Sequence, residues 1–592
     1  MNSLTHIKRS ERSFTEELML VFISIVLPFV CILLYLYLPE ANNVSFSDND
    51  DFMRYYQFTH WLQSGNWYLT PIEQFNPQSG VLMHWSRLVD IPLAGATLFL
   101  SPFFGLELAS LYATGIVPVI YLLLTLLALA KITYKLFGSR FIALTCVYFI
   151  GSIAISKFKP GAIDHHNLQM LLFAWSIAII PINSKRIGTW QQSFLYALLL
   201  SLSLWVGLEN LIVFSATLFF IVYVGYQHNK QYLVYFTRIC GIALVISTCF
   251  TLLNRPISEF TTFYIDMLSW PYLLCLGIGF VYGCISQLYV DKYGNYAFIV
   301  FTIIAILLVL LIVPELLMGV YYNYPELLKV TWLNHVTEAR SILSYVFTDG
   351  LMSNHLHFLY LFPALISVYY VREDKVALIA YLLFFLVFLF AVLWQVRTIF
   401  NVYILAVPFQ AYMVARWCSH IRFSLVKLIV IFMLAPVILS ILILKGVQVI
   451  EDKKQSTMLF DKSSVSAILK SNNVKKSKIL APIDFGAAVI ALTDNSVISA
   501  PYHRNIDGNI DMIHLFSSKA NEDLKKELKR KGFDYILIGK DRSTKILLDV
   551  GEEDSLVNLL FYDNGPGWLI LKSKDELGNK LFEINYSESK QS

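Results

Sequence analysis

Two short stretches carry the residue types that could do chemistry. The first, 47-SDNDDFMRYY-56, puts Asp48, Asp50 and Asp51 within four positions, and the second, 157-KFKPGAIDHHNLQ-169, sets Asp164 beside His165 and His166. Hard carboxylate oxygens suit Mg²⁺ or Mn²⁺, and Mn²⁺ also accepts an imidazole. Together the two stretches could hold one divalent cation. Each also has a plainer reading: an acidic run is commonly a solvated loop, and Asp164, just ahead of an apolar helix, is placed to cap it.

A membrane bundle has to position them. The chain has 592 residues, 56% hydrophobic and only 15% charged, with a mean hydropathy of +0.59. Its apolar runs recur almost without pause up to about residue 446. Such a composition belongs to a polytopic α-helical membrane protein. The net charge of +4 is small and the Lys and Arg residues sit in short clusters between apolar runs, so no case for nucleic-acid binding follows. The seven cysteines fall in or beside apolar runs without metal-ligand spacing and read as small hydrophobes. The first run, 20-LVFISIVLPFVCILLYLYL-38, is too long for a signal-peptide core and is expected to stay as an anchor.

A span needs about 20 mostly apolar residues. That measure predicts about thirteen helices, at 18–39, 108–131, 141–156, 168–183, 191–207, 210–226, 234–253, 271–288, 296–318, 355–371, 376–394, 399–415 and 424–446. If the amino terminus with Lys8, Arg9 and Arg12 is cytoplasmic, every short inside loop has a base, Lys185 and Arg186 among them. The run 91–105 is read as interfacial, because counting it as a span would put the basic clusters outside. Three outer segments follow, 40–107, 157–167 and 319–354, and the acidic clusters lie in the first two. Ionisable groups at a membrane are costly and usually functional. An odd span count sends the tail 447–592 outward. Its short runs 478-KILAPI-483, 496-SVISA-500 and 534-DYILIG-539, with amphipathic 520-ANEDLKKELKRKG-532 between them, predict a soluble extracytoplasmic α/β domain after a transmembrane domain of 1–446.

Further residues invite a phosphate-bearing lipid. In 80-GVLMHWSRLVDIPLAG-95, His84, Trp85 and Arg87 stand beside an apolar stretch, where an indole can anchor at the interface and a guanidinium can fork onto phosphate. Arg397 in 394-WQVRTIFN-401 sits at an outer helix end, where a snorkelling arginine is the plainer reading. Glu209 in 205-WVGLENL-211 could face the same cavity. In 499-SAPYHRNIDGNID-511, His503 and Arg504 could contact an acceptor.

The order of first helix, acidic motif, long outer loop, two helices and a second acidic motif resembles the GT-C membrane glycosyltransferases. Within them it is similar to the catalytic subunit of oligosaccharyltransferase, including its bacterial forms. The stretch 51-DFMRYYQFTHWL-62 lines up with the family's first motif, which implies a catalytic role for Asp51, with Asp50 as the alternate. The family's D-x-D or D-x-E motif corresponds to 164-DHH-166, with His166 where a carboxylate usually stands. Its late-loop glutamate motif corresponds to 335-HVTEAR-340, which puts Glu338 among the catalytic residues. The resemblance implies a Mn²⁺ or Mg²⁺ ion on Asp51, Asp164 and His166, with Arg397 on the donor diphosphate. Of the family's W-W-D-Y-G acceptor motif, 482-PIDFG-486 keeps Asp484 and Gly486 and lacks the tryptophan pair.

The expected function is metal-assisted, inverting transfer of a glycan from a polyprenyl-phosphate or diphosphate donor to a protein or glycolipid acceptor. It would take place among membrane lipids on the outer face of the inner membrane. One alternative acceptor is a lipid-linked saccharide or lipopolysaccharide. An alternative of another class is a transporter or lipid flippase, which would place charges at mid-membrane and break its helices in repeated halves.

Overall fold

Lipid offers backbone amides no partners, so an apolar chain crossing it has to bond its own backbone in helices. The computed structural model describes residues 12–38, 46, 48–181, 187–319, 321–336, 338, 340–349, 360–451 and 463–587. Lys8, Arg9, Lys185, Arg186, the start of the span expected at 355–371 and parts of the outer segments 40–107 and 319–354 lie outside these residues.

Helix α1 (Phe14–Tyr37) opens on a capping box. Ser13 Oγ accepts from the Glu16 amide, and the Glu16 carboxylate accepts from the Ser13 amide at 2.9 Å. Then come α2 (Asn49–Ser64), α3 (Arg87–Phe104), α4 (Leu106–Phe137), α5 (Ile142–Ile150), α6 (His166–Ile179), α7 (Trp190–Val206), α8 (Leu211–Gln227) and α9 (Gln231–Asn254). After these follow α10 (Trp270–Ile312), α11 (Lys375–Leu393), α12 (Ile399–Ser419), α13 (Ser424–Met433) and α14 (Pro436–Glu451).

Seven described helices are long and apolar enough to cross a membrane, or eight if α13 and the start of α14, bent by 68°, count as one span. The count of thirteen is therefore not confirmed. Apolar length alone does not keep the backbone helical: the window 141–156 is helix only to Ile150 and then becomes a 3₁₀ turn over Ile153–Phe158. The span expected at 271–288 and most of that expected at 296–318 fall within the 43-residue α10, and the break at Gly294 (φ 48°, ψ −125°) lies between them. As a straight helix α10 would measure about 65 Å. Instead Tyr282 and Thr302 hydroxyls meet at 3.2 Å, so its halves fold back on each other. The run 91–105, expected at the interface, belongs to α3, which is long and apolar enough to span and packs along α4. The charges at its head, Arg87 and Asp90, neutralise each other and do not hold it at the surface.

Helix α4 and the Val396–Ser419 helix form the centre of the bundle, with 72% and 83% of their apolar windows buried, against 17% for α1. Helix α2 lies across one end of the bundle and is fixed by charge. Arg54 is fully buried; its Nη1 donates to Asp90 Oδ1 at 3.1 Å and its guanidinium lies 4.2 Å from the Trp85 ring. Arg87 Nη1 reaches Asp90 Oδ2 at 3.1 Å, and Gln57 Nε2 donates to the same oxygen at 2.7 Å. Trp85, expected as an interface anchor, is 4% exposed and packs inside this network.

The tail forms a five-stranded sheet, β1 (Lys478–Leu480), β2 (Ser496–Val497), β3 (Tyr535–Ile538), β4 (Leu569–Lys574) and β5 (Lys580–Ile584), ordered β2-β1-β3-β5-β4. Strands β1, β2 and β3 are parallel, and β5 pairs antiparallel with β3 and β4. The helices α15 (Gly486–Leu492), α16 (Ile506–Ser517) and α17 (Glu522–Lys531) belong to this unit. Helix α17 is capped by Asn521 and stopped by Gly532 at φ 73°. The tail unit is locked to the bundle. Segment 74–76 runs along the free edge of β2, with the Asn76 amide on Val497 O at 2.7 Å and the Val497 amide on Gln74 O at 3.0 Å. Helix α15 packs on α2, and Tyr502 Oη donates to Asn49 O at 3.0 Å.

Asp90→Asn would strand two arginines in the interior, and breaking a buried pair costs about 3–5 kcal/mol. The expected outcome is a markedly lower unfolding midpoint of the purified protein in detergent, read by intrinsic fluorescence against wild type.

Candidate active site

Asp51 stands one turn into α2 and is 2% exposed. Its Oδ1 accepts the backbone amides of Ile163 at 2.8 Å and Asp164 at 3.0 Å, which ties α2 to the loop ahead of α6. That loop turns at Gly161, whose φ of 88° is open to glycine. The Gly161 amide bonds Thr114 O on α4 at 3.0 Å, so the loop is anchored on both sides. Oδ2 of Asp51 has no hydrogen bond among the described residues. Asp48, Asp51, Lys157, Asp164 and His166 line a cavity of about 110 Å³.

Asp164 does not cap α6: the helix starts at His166 with His165 at the cap position and no side-chain cap bond. Its carboxylate faces the two imidazoles instead, with Oδ1 2.5 Å from His165 Nδ1 and Oδ2 3.4 Å from His166 Nε2. His166 Nε2 is also 3.4 Å from Glu338 Oε2, and Glu338 Oε1 is 3.3 Å from Lys157 Nζ. Asp51, Asp164, His166 and Glu338 thus come together from three separate outer segments.

A second layer adjoins this cluster. Glu209 accepts from His165 Nε2 at 3.3 Å and from Gln169 Nε2 at 2.6 Å, and it lies 3.8 Å from Arg397 Nη1. It fits because residue 207 is glycine: a Cβ there would stand 2.4 Å from Glu209 Oε2. Arg397 Nε points at Glu338 O, 3.5 Å away, and shares a small cleft with His166, Gln169 and Asn401.

These charges set one another's protonation. Burial, followed by the neighbouring Asp48 and Asp164, raises Asp51 to about 8. Burial also raises Asp50, helped by Asp164 and Asp48. Burial opposes the charge of Glu338, yet His166 and Lys157 hold its carboxyl well below the usual range. Burial likewise disfavours charge on His165, and Asp164 with Glu209 overcomes it and lifts the imidazole to about 10.

A divalent cation fits this donor set. Asp48, Asp51, Asp164 and the imidazole of His166 line one cavity, and Oδ2 of Asp51 makes no hydrogen bond among the described residues. Asp164, His165 and His166 each offer a ligand atom within 4.8 Å of the others. Lys157 was overlooked in the sequence, although it stands in the same ten-residue stretch as Asp164; a lone lysine near an apolar helix carries no spacing signal.

Other nominated residues stand elsewhere. Arg87 is 5% exposed and its donors are spent on Asp90 and on the carbonyls of Trp67, Gln57 and Asn66, so it is not free for a phosphate. His84, His503 and Arg504 gather around Asp266, with Arg504 forking onto both carboxylate oxygens at 2.7 and 2.8 Å. Asp484 stands just ahead of α15, where its amide donates to Ser543 Oγ at 3.4 Å, and it does not line the cavity.

A groove of about 1520 Å³ runs between α2, the segment 70–80, the head of α4 and the end of α15. Asp51, Tyr55 and Thr59 follow at helical spacing on one face of α2, with Asp51 lining the cavity and Tyr55 and Thr59 lining the groove. Glu73, Glu107 and Asp494 line the groove together with Tyr56 and His60, whose rings stack at 5.4 Å, and among the described residues the lining holds no Lys or Arg.

The sequence matches no protein-family model and no curated protein. Solved structures are similar in fold. The archaeal oligosaccharyltransferase AglB from Archaeoglobus fulgidus, in complex with an inhibitory peptide and a dolichol-phosphate, superposes with a TM-score of 0.61 at 11% identity, over 90% of this chain and 72% of that one. The Archaeoglobus fulgidus oligosaccharyltransferase tethered to an acceptor peptide containing the NVT sequon gives 0.61 at 12%, over 96% and 75%. The same enzyme with Zn and sulfate gives 0.59 at 12%, over 94% and 73%. By its fold, with a mostly helical membrane bundle and a small carboxy-terminal sheet, this chain is similar to the GT-C superfamily of membrane glycosyltransferases.

Proposed function

We propose that this protein is a membrane glycosyltransferase that moves a glycan from a polyprenyl-phosphate or diphosphate donor to an acceptor on the outer face of the inner membrane. In this reading the amino terminus is cytoplasmic and the carboxy-terminal unit is extracytoplasmic. One observation carries it: Asp51, Asp164 and His166 line one cavity at the end of an apolar bundle, and Glu338, almost three hundred positions from Asp51, stands 3.4 Å from His166 with Arg397 behind it.

A lipid-borne sugar keeps its chain in the bilayer and its anomeric carbon at the membrane surface, so charge is needed beside apolar helices. Asp51, Asp164, His166 and Glu338 would hold the Mn²⁺ or Mg²⁺ ion, which supplies Lewis-acid neutralisation of the leaving phosphate. Arg397 adds a fixed positive charge on the same side. The acceptor enters along the groove; its heteroatom forms the new bond to the anomeric carbon as the bond to the phosphate oxygen breaks. Asp51 orients the acceptor and takes its proton, and attack opposite the leaving group inverts the carbon. A groove with three carboxylates and no Lys or Arg suits a neutral or basic hydroxyl-bearing face, on a protein or on a saccharide, and disfavours a phosphorylated one.

Asp51→Ala is expected to lower glycan transfer about 10²–10⁴-fold, the usual worth of a general base, and Asp164→Ala to abolish it, with both variants inserted in the membrane at wild-type level. Mass spectrometry of lipids and glycoconjugates from a deletion strain complemented with each variant reads the accumulating donor and the missing product; wild-type transfer in both would end the proposal.

The raised proton affinity of Asp51 has its own signature. Without a cation the folded chain keeps a proton on Asp51 up to about pH 8, whereas an unfolded aspartate loses it near about pH 3.9. Between these values the native state holds the extra proton, so that contribution to stability is present at low pH and is lost as pH rises through about 8. In chelator, the wild-type unfolding midpoint is expected to fall from pH 5 to pH 8 more than that of Asp51→Asn, and Mn²⁺ at pH 8 is expected to restore it.

A further inference from the structure

His84, Asp266 and His503 come from the first outer segment, the stretch between α9 and α10, and the carboxy-terminal unit. Their rings and carboxylate nevertheless crowd one point. One ligand atom from each lies within 4.8 Å of the other two. His503 Nε2 is 2.8 Å from Asp266 Oδ2, and the imidazoles of His84 and His503 are 4.6 Å apart between centroids. His84 makes no hydrogen bond to any described residue, so its ring nitrogens are uncommitted. The other members are held in place from outside: Tyr324 Oη donates to His503 O at 3.2 Å, and Arg504 fixes the Asp266 carboxylate plane.

We propose that His84, Asp266 and His503 form a second metal site, separate from the Asp51 cavity, which takes Zn²⁺ and ties the tail unit to the bundle. Two imidazoles and one carboxylate are ligands for a borderline transition ion, and they suit Mg²⁺ or Ca²⁺ poorly. Ligand bonds of about 2.0–2.2 Å require the three atoms to stand closer than they now do on the His84 side, and half-buried side chains at the edge of the cluster can move that far. The hydrogen that His503 Nε2 now donates to Asp266 shifts to Nδ1, a tautomer change that leaves the charge unaltered. Asp266 keeps its bonds to Arg504, as a ligating carboxylate commonly keeps a donor behind it. The guanidinium weakens the hold on a cation, so this is the weaker of the two sites. Because a carboxylate occupies the centre, an anion is not the ligand.

The test uses the full-length, tag-free protein in detergent, titrated with Zn²⁺ and passed over a desalting column before metal analysis. Wild type is expected to retain two Zn²⁺ per chain, Asp164→Asn one, His84→Gln one, and the double variant none. Elution volume and unfolding midpoint check that each variant is folded. Asp164→Asn loaded with Co²⁺ should show the intense visible absorption of a low-coordinate N₂O site, and Mg²⁺ in excess should not remove it. If folded His84→Gln retains as much Zn²⁺ as wild type, the second site does not exist. If His84→Gln does not fold, Asp164→Asn alone decides: one Zn²⁺ with the Co²⁺ absorption supports the site, and no Zn²⁺ overturns it. Loss of the Asp51 cavity site would show instead as Asp164→Asn matching wild type, so the two metal proposals fail separately.

Discussion

Like charge held out of water is the constraint on which this structure turns. Asp48, Asp50, Asp51, Asp164, Glu209 and Glu338 crowd one end of an apolar bundle, and their mutual repulsion in a poor dielectric must be met by positive charge. Lys157, His165, His166 and Arg397 are placed to meet it, one against Glu338, one between Asp164 and Glu209, one between Asp164 and Glu338, and one beside Glu209. Asp51 is left with backbone amides alone, and burial therefore pushes its proton affinity up. Asp50, on the same turn, is likewise raised by burial and by its acidic neighbours.

The scaffold keeps those charges from drifting apart. Helix α2 bears Asp50 and Asp51 at its first turn, and it is pinned by the Arg54, Asp90 and Arg87 network on one side and by α15 on the other. The loop carrying Asp164 is bonded both to α2, through Asp51, and to α4, through Gly161. Segment 74–76 covers the exposed edge of β2, which joins the tail sheet to the bundle by backbone hydrogen bonds and leaves no free edge there. Any tilt of the tail unit would move α2, and with it Asp51. Position of the site is thus a property of the interface between bundle and tail.

Composition and local pattern were enough for several features. The apolar runs announced a helical bundle because burying a backbone in lipid leaves few other solutions. Strands β1, β2 and β3 and the Asn521-to-Gly532 helix were legible because their alternation and caps are local, whereas β4 and β5 were not singled out. Helix count was less so. Gly151 interrupts the mostly apolar window 141–156, and hydropathy averages over such a break. The run 91–105 was set at the interface only because counting it as a span would put the basic clusters outside, a charge rule that carries no information on how the run packs along α4.

The acidic clusters Asp48–Asp51 and Asp164–His166 were visible in the sequence by itself, because ionisable residues beside apolar runs stand out against a greasy background. Tertiary structure alone decided which of them share a cavity, since that depends on how α2, the Gly161 turn and the segment with Glu338 pack in three dimensions. It also separated two kinds of arginine that look alike in one dimension. Arg397 faces the cluster, whereas Arg87 spends every donor inside the protein. The same holds for Asp266, a lone acid with no local signal, which gathers His84, His503 and Arg504 only through folding. Residue type and helical period are local quantities; electrostatic partnership between segments hundreds of positions apart is not.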